Sequence, residues 1–90
     1  MNKDEVLQKI KAGAVGLHIL SIEYVEKDNS NEGSRLVEPY SMRDVGTDKE
    51  AFFAFDIAKD GIRRFSVNRI LRVEITNQKF TPRNGWTVEF

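Results

Sequence analysis

Ala51-Phe52-Phe53-Ala54-Phe55-Asp56-Ile57 runs into Ala58-Lys59-Asp60-Gly61 and returns through Ile62-Arg63-Arg64-Phe65-Ser66-Val67. Two runs of aromatic and β-branched residues about a Lys-Asp-Gly turn read as an antiparallel hairpin, because Asp and Gly tolerate the left-handed backbone that a tight turn demands. Next, Asn68 and Arg69 form a tight or single-turn helical corner, and Leu71, Val73 and Ile75 then alternate with Arg72 and Glu74. A period of two puts those three aliphatic side chains on one face and predicts a strand over 70–76.

Upstream the texture is the same. Strands are predicted over 17–26 and 35–42, separated by the polar turn KDNSNEGS at 27–34 and followed by a second turn, DVGTDK, at 44–49. Pro39 has no amide hydrogen to donate, so the segment around it lies at an edge, a bulge or a bend. Five short strands with turns about every ten residues indicate a small antiparallel barrel or sandwich. Ahead of them, Asn2 and Glu5 have the spacing of a capping box, and Val6, Leu7, Ile10 and Ala14 recur at helical intervals until Gly13 and Gly16 stop the pattern. That stripe is too small to be stable alone, so the helix is expected to lie on the sheet and cover a barrel mouth. Phe80, Pro82, Trp86 and Phe90 give 78–90 too much apolar surface for a disordered end, and this tail is expected to dock on the body. The expectation is one domain over 1–90: helix 1–16, barrel 17–77, docked tail 78–90.

Ninety residues leave no room for a catalytic domain beside a regulatory one. The absence of cysteine removes disulfides, thiolate zinc sites and thiol nucleophiles, and the single histidine, His18, builds no metal site alone. No run approaches the roughly 18 apolar residues of a membrane span, and the charged start lacks a signal-peptide pattern. A cytoplasmic protein without a membrane partner is expected. The acids show no paired-carboxylate spacing and no phosphate loop is present, so no catalytic residue, metal or cofactor is expected, and an enzyme is not.

The 14 basic and 14 acidic residues cancel, but unevenly along the chain. Residues 1–60 carry 8 basic against 12 acidic side chains, and residues 61–90 carry 6 against 2. Four arginines, Arg63, Arg64, Arg69 and Arg72, fall within 61–72 with no acid among them. They are either an anion-attracting patch or solvated strand residues paired with acids of the first half. Guanidinium forks match phosphate and stack on bases, and aromatic faces stack unpaired bases, so arginine beside aromatics on a barrel suits single-stranded nucleic acid or a nucleotide. The candidate set is Arg35, Tyr40, Phe55, Arg63, Arg64 and Arg69. Phe53, Phe55 and Ile57 share one strand face, as do Arg63, Phe65 and Val67, and most of these aromatics are expected in the core. Arg63 on the side of Phe65 must then reach the rim or meet a ligand or an acid such as Asp56.

At these residues the chain resembles the WYL domain family. The resemblance is carried by Arg35-Leu36-Val37-Glu38-Pro39-Tyr40, by Phe53-Ala54-Phe55-Asp56, by Ile62-Arg63-Arg64-Phe65-Ser66-Val67-Asn68-Arg69-Ile70 and by Phe80-Thr81-Pro82-Arg83. Glu50-Ala51-Phe52 stands where the family has its naming Trp-Tyr-Leu, and Asn68 where aspartate is usual. The resemblance implies a mainly β fold, an Sm-like five-stranded antiparallel barrel with one N-terminal helix. It also implies a regulatory module that senses a negatively charged ligand, nucleic acid or a nucleotide, in transcription regulation, phage defence or CRISPR systems. Arg63 and Arg69 match the family's arginines and Arg35 and Tyr40 its earlier strand; Arg64 enters through local charge alone. The competing reading is a protein-interaction or oligomerisation module, in which a strand edge or the tail around Trp86 pairs with a partner or a second copy.

Overall fold

The computed structural model describes residues 1–44 and 50–90, so the turn expected at 44–49 lies, beyond Asp44, outside the described residues. Helix α1 (Lys3–Val15) starts at the expected capping box: Asn2 Oδ1 accepts from the Glu5 amide at 2.9 Å, and Glu5 Oε1 accepts from the Asn2 amide at 3.4 Å. Val6, Ile10 and Ala14 form its buried stripe. The helix runs through Gly13 and ends within the expected 1–16. A Cβ at Gly13 would stand 2.4 Å from Leu20 Cδ2, so glycine serves close approach of helix to sheet rather than termination. Gly16 caps the end.

Five strands follow: β1 (His18–Tyr24), β2 (Ser34–Asp44), β3 (Glu50–Asp56), β4 (Gly61–Ser66) and, after the 3-10 turn Val67–Arg69, β5 (Ile70–Lys79). They form one antiparallel sheet in the order β4-β3-β2-β1-β5. The β3–β4 hairpin closes with Asp56 opposite Gly61 and Asp60 at φ 54. Pro39 is buried beside a break in the β2–β3 register, the bulge its missing amide permits. The ladder is open: β4 and β5 are its edges and are not paired with each other. The sheet nevertheless curls, for the Ser66 amide at the end of β4 donates to the Tyr24 hydroxyl on β1 at 2.9 Å.

The inner face carries the main core, with Phe52, Phe65, Leu20, Ile22, Val37 and Val73 fully buried beneath Val6 and Ile10 of α1. Strict alternation fails on β5. Tyr24 pairs with Ile70 but Glu23 with Arg72, so Leu71 is bulged out and 45% exposed while Ile70 and Val73 both turn inward. On β3, Phe52 and Ala54 face this core; Phe55, of opposite parity, joins Tyr40 and Phe80 in a second cluster on the outer face. Residues from the tail cover that cluster: Trp86 meets Tyr40 edge-on at 5.3 Å, and the Glu89 amide donates to the Tyr40 carbonyl at 2.7 Å. No helix among the described residues is long and apolar enough to cross a membrane.

Candidate anion-binding site

Period two brings Arg35 beside Val37, Arg63 beside Phe65, and Asp56 beside Ala54 on the inner face, where Phe65 and Ala54 are core. Residues so polar survive there only if paired. Arg35 is held by two acids, Nη1 lying 3.5 Å from Asp56 Oδ2 and Nη2 3.4 Å from Glu26 Oε1. Its guanidinium carbon lies 5.8 Å from the ring centres of both Tyr24 and Phe65, and the side chain is 8% exposed. Arg63 Nη2 donates to Glu26 Oε1 and Oε2 at 3.2 and 3.4 Å, with its guanidinium 5.1 Å from the Phe65 ring centre. Arg69 Nη1 donates to the Glu26 carbonyl at 2.8 Å, and the Arg69 carbonyl accepts from the Val25 amide at 3.0 Å.

Three of the expected arginines, Arg35, Arg63 and Arg69, therefore converge on Glu26. The acid that meets Arg63 is Glu26 and not Asp56, because Asp56 is taken by Arg35 and the curl of the sheet carries the end of β1 to β4. Glu26 was missed, although Ile22, Tyr24 and Glu26 share a parity that places a carboxylate on an apolar face.

Two grooves flank this cluster. One, of about 580 Å³, is bordered by Lys27, Arg63 and Arg64 against Glu26, Asp28 and Glu32, an even balance of charge. Asp28 is held below the ordinary carboxylate range by the Ser30 hydroxyl and amide, which donate to it at 2.6 and 3.0 Å. The other, of about 510 Å³, has Lys27, Arg64 and Arg69 with Tyr24, Ser66 and Asn68, and Glu50 as its one acid among the described residues, itself 3.0 Å from Lys3 Nζ. Lys27 and Arg64 are exposed and make no ion pair among the described residues. A groove with excess positive charge and hydroxyl and aromatic borders suits a phosphate-bearing ligand.

Tyr40 and Phe55 lie elsewhere. Arg35 and Tyr40 are five residues apart, an odd spacing that sends them to opposite faces. On the outer face Glu38, 5% exposed, accepts from Arg83 Nε and Nη2 at 2.9 and 3.0 Å and from the Tyr40 hydroxyl at 2.9 Å. Arg83 stacks 3.8 Å from the Phe55 ring centre, so the tail is fastened by a bidentate pair the sequence did not reveal. The Glu38 carboxylate raises the Arg83 pKa. Burial raises the Tyr40 phenol above its ordinary 10.0. An unfolded Tyr40 therefore ionises first, and its contribution to stability is complete below about pH 10 and lost as pH rises through the folded value. Thermal midpoints read by Trp86 fluorescence are expected to fall over that range, and Tyr40→Phe to flatten the fall.

The described fold has a counterpart among solved structures. A solved structure of proteasome accessory factor B/C (PafBC) of Arthrobacter aurescens superposes with a TM-score of 0.78 at 18% identity, over 86% of this chain and 12% of that one. The likeness is one of fold, and this chain spans a small part of that protein. No curated protein matches the sequence. The model of the WYL domain matches residues 5–75, from the first turn of α1 to the middle of β5, and on that span the chain belongs to the WYL domain family.

Proposed function

We propose that this chain is a regulatory ligand-binding module, and not an enzyme, that takes single-stranded nucleic acid or a nucleotide in the groove bordered by Lys27, Arg64 and Arg69. The observation that carries the reading is the excess of positive charge among the described residues of that groove, on a protein of zero formal net charge. Membership of the WYL family supports a sensing role. Transcription regulation or phage defence is the setting inferred from the family. The Tyr24 to Ser66 bond supports reading the curled sheet as an Sm-like barrel.

Fluorescence anisotropy of labelled short single-stranded DNA and RNA tests this. With three phosphate contacts the expected log–log salt slope is about −2, roughly a twentyfold loss of affinity between about 50 and 200 mM salt. Arg64→Ala is expected to weaken binding about fivefold, or about 1 kcal/mol, and to make the slope shallower by about 0.7. Its side chain is exposed, so stability is expected to change by less than about 0.5 kcal/mol.

A second reading has its own support on the outer face, where Ile62 is 45% and Trp86 41% exposed beside Phe53. A protein partner or a second copy would cover that apolar surface. Absence of binding to either nucleic acid, at low salt, moves the assignment to this face.

A further inference from the structure

We infer that Glu26 is a built-in counter-ligand, occupying with its carboxylate the place of a ligand phosphate and withholding Arg63 until it is displaced. The inference rests on the anion-binding reading above and concerns how that site is regulated.

The contacts are those a phosphate would make. Arg63 Nη2 donates to both Glu26 oxygens, and Arg35 Nη2 approaches the same carboxylate at 3.4 Å. Guanidinium recognises carboxylate and phosphate with the same planar fork, so either anion fits this seat. The two arginines differ in what they would have left. Arg35 keeps Asp56 as a second acid and is 8% exposed, whereas Arg63 has Glu26 as its acid among the described residues and is 30% exposed. Displacing the carboxylate would thus release Arg63 while Arg35 stays in place.

The backbone at Glu26 is fixed independently of its side chain. Its carbonyl accepts from Arg69, its amide donates to the Ser30 carbonyl at 2.9 Å, and the neighbouring Val25 amide donates to the Arg69 carbonyl. The carboxylate, 28% exposed, can therefore swing aside without unfolding the loop root. Charge gives that movement a consequence. With Glu26 in place, the groove beside the 27–33 loop is balanced at three bases and three acids; with it displaced, the local balance becomes positive. Tyr24, Lys27 and Arg64 border both grooves, so a ligand seated by Arg64 and Arg69 extends directly toward the freed Arg63. A polyanion that contacts both grooves competes with Glu26 better than a single charge does.

The test is a double-mutant cycle read by anisotropy of a labelled single-stranded DNA of roughly ten nucleotides, within the site sizes of single-strand binders. Glu26→Gln keeps the size and the backbone contacts and removes the charge. It is expected to bind roughly tenfold tighter than wild type, because the ligand no longer has to displace a carboxylate from Arg63, with an unchanged salt slope since Arg63 meets phosphate in both complexes. Glu26→Gln with Arg63→Ala is expected to bind no better than Arg63→Ala alone. In the wild-type protein, the Glu26 carboxylate carbon resonance is expected to move on saturation with DNA, a readout that needs no substitution. A gain retained in the double variant overturns the proposal, since it reports a general loss of negative charge. An unmoved resonance overturns it too, as does wild-type binding that Glu26→Gln leaves unchanged or weaker; in those cases the anion-binding reading stands. Failure of both wild type and Glu26→Gln to bind overturns the two together.

Discussion

Phe65→Ala is expected to lower stability by about 3–5 kcal/mol, the cost of deleting a fully buried aromatic ring and leaving the space only partly refilled. Phe65 is 0% exposed, edge-on to Tyr24 at 5.0 Å and tilted against Phe52 at 6.1 Å. It joins the edge strand β4 to the centre of the core. Total stability of roughly 5–13 kcal/mol is usual for a domain of this length, so the loss leaves a thin margin or none. Urea unfolding is the measurement: the midpoint falls sharply while the slope with denaturant stays near that of the wild type. Phe65→Leu, which keeps much of the volume, is expected to fall less. A loss below about 1 kcal/mol for the alanine variant would remove Phe65 from the core as described. The ring also underlies the guanidinium groups of Arg35 and Arg63. Weaker DNA binding is therefore expected even under conditions where the variant remains folded.

The local signals that were legible in the sequence are those that tertiary contacts do not overrule. Asp60 and Gly61 mark the β3–β4 turn whatever packs above it, and Asn2 with Glu5 marks the helix start. Gly13 shows where local reading ends: a glycine costs a helix roughly 1 kcal/mol, and close packing on Leu20 outweighs that. Leu71 shows the same for strands, since the bulge that exposes it depends on its partner β1. For the site, parity along β4 was enough to bring Arg63 to the face of Phe65. Parity along β2 separates Tyr40 from Arg35, a consequence that a set assembled by residue type overlooked. Which acid meets Arg63 was not legible, because Glu26 lies 37 residues away and is delivered by the curl of the whole sheet. The Arg83 to Glu38 pair spans 45 residues and depends likewise on where the tail lands.

Arg35→Ala is expected to cost about 3–5 kcal/mol, the penalty for breaking a buried ion pair by removing one partner. Read as sequence, Arg35 belongs among the residues that hold a ligand; its surroundings describe a residue that holds the fold. Its head is enclosed by Asp56, Glu26 and the Tyr24 and Phe65 rings, and Asp56 is 1% exposed. Removing the guanidinium leaves the Asp56 carboxylate buried without its cation. Arg35→Lys is expected to recover only part of the loss, because an ammonium on a flexible stem cannot reach two acids and lie between two rings as a planar fork does. Arg35→Met combined with Asp56→Leu is expected to be less damaging than Arg35→Met alone, since it removes both charges together. Denaturant midpoints for the set, beside anisotropy measured on the folded fraction, separate the two roles. A midpoint unchanged in Arg35→Ala with DNA binding abolished would return Arg35 to the ligand. A midpoint that collapses while Arg64→Ala leaves stability intact and weakens binding assigns the fold to the inner arginine and the ligand to the outer one.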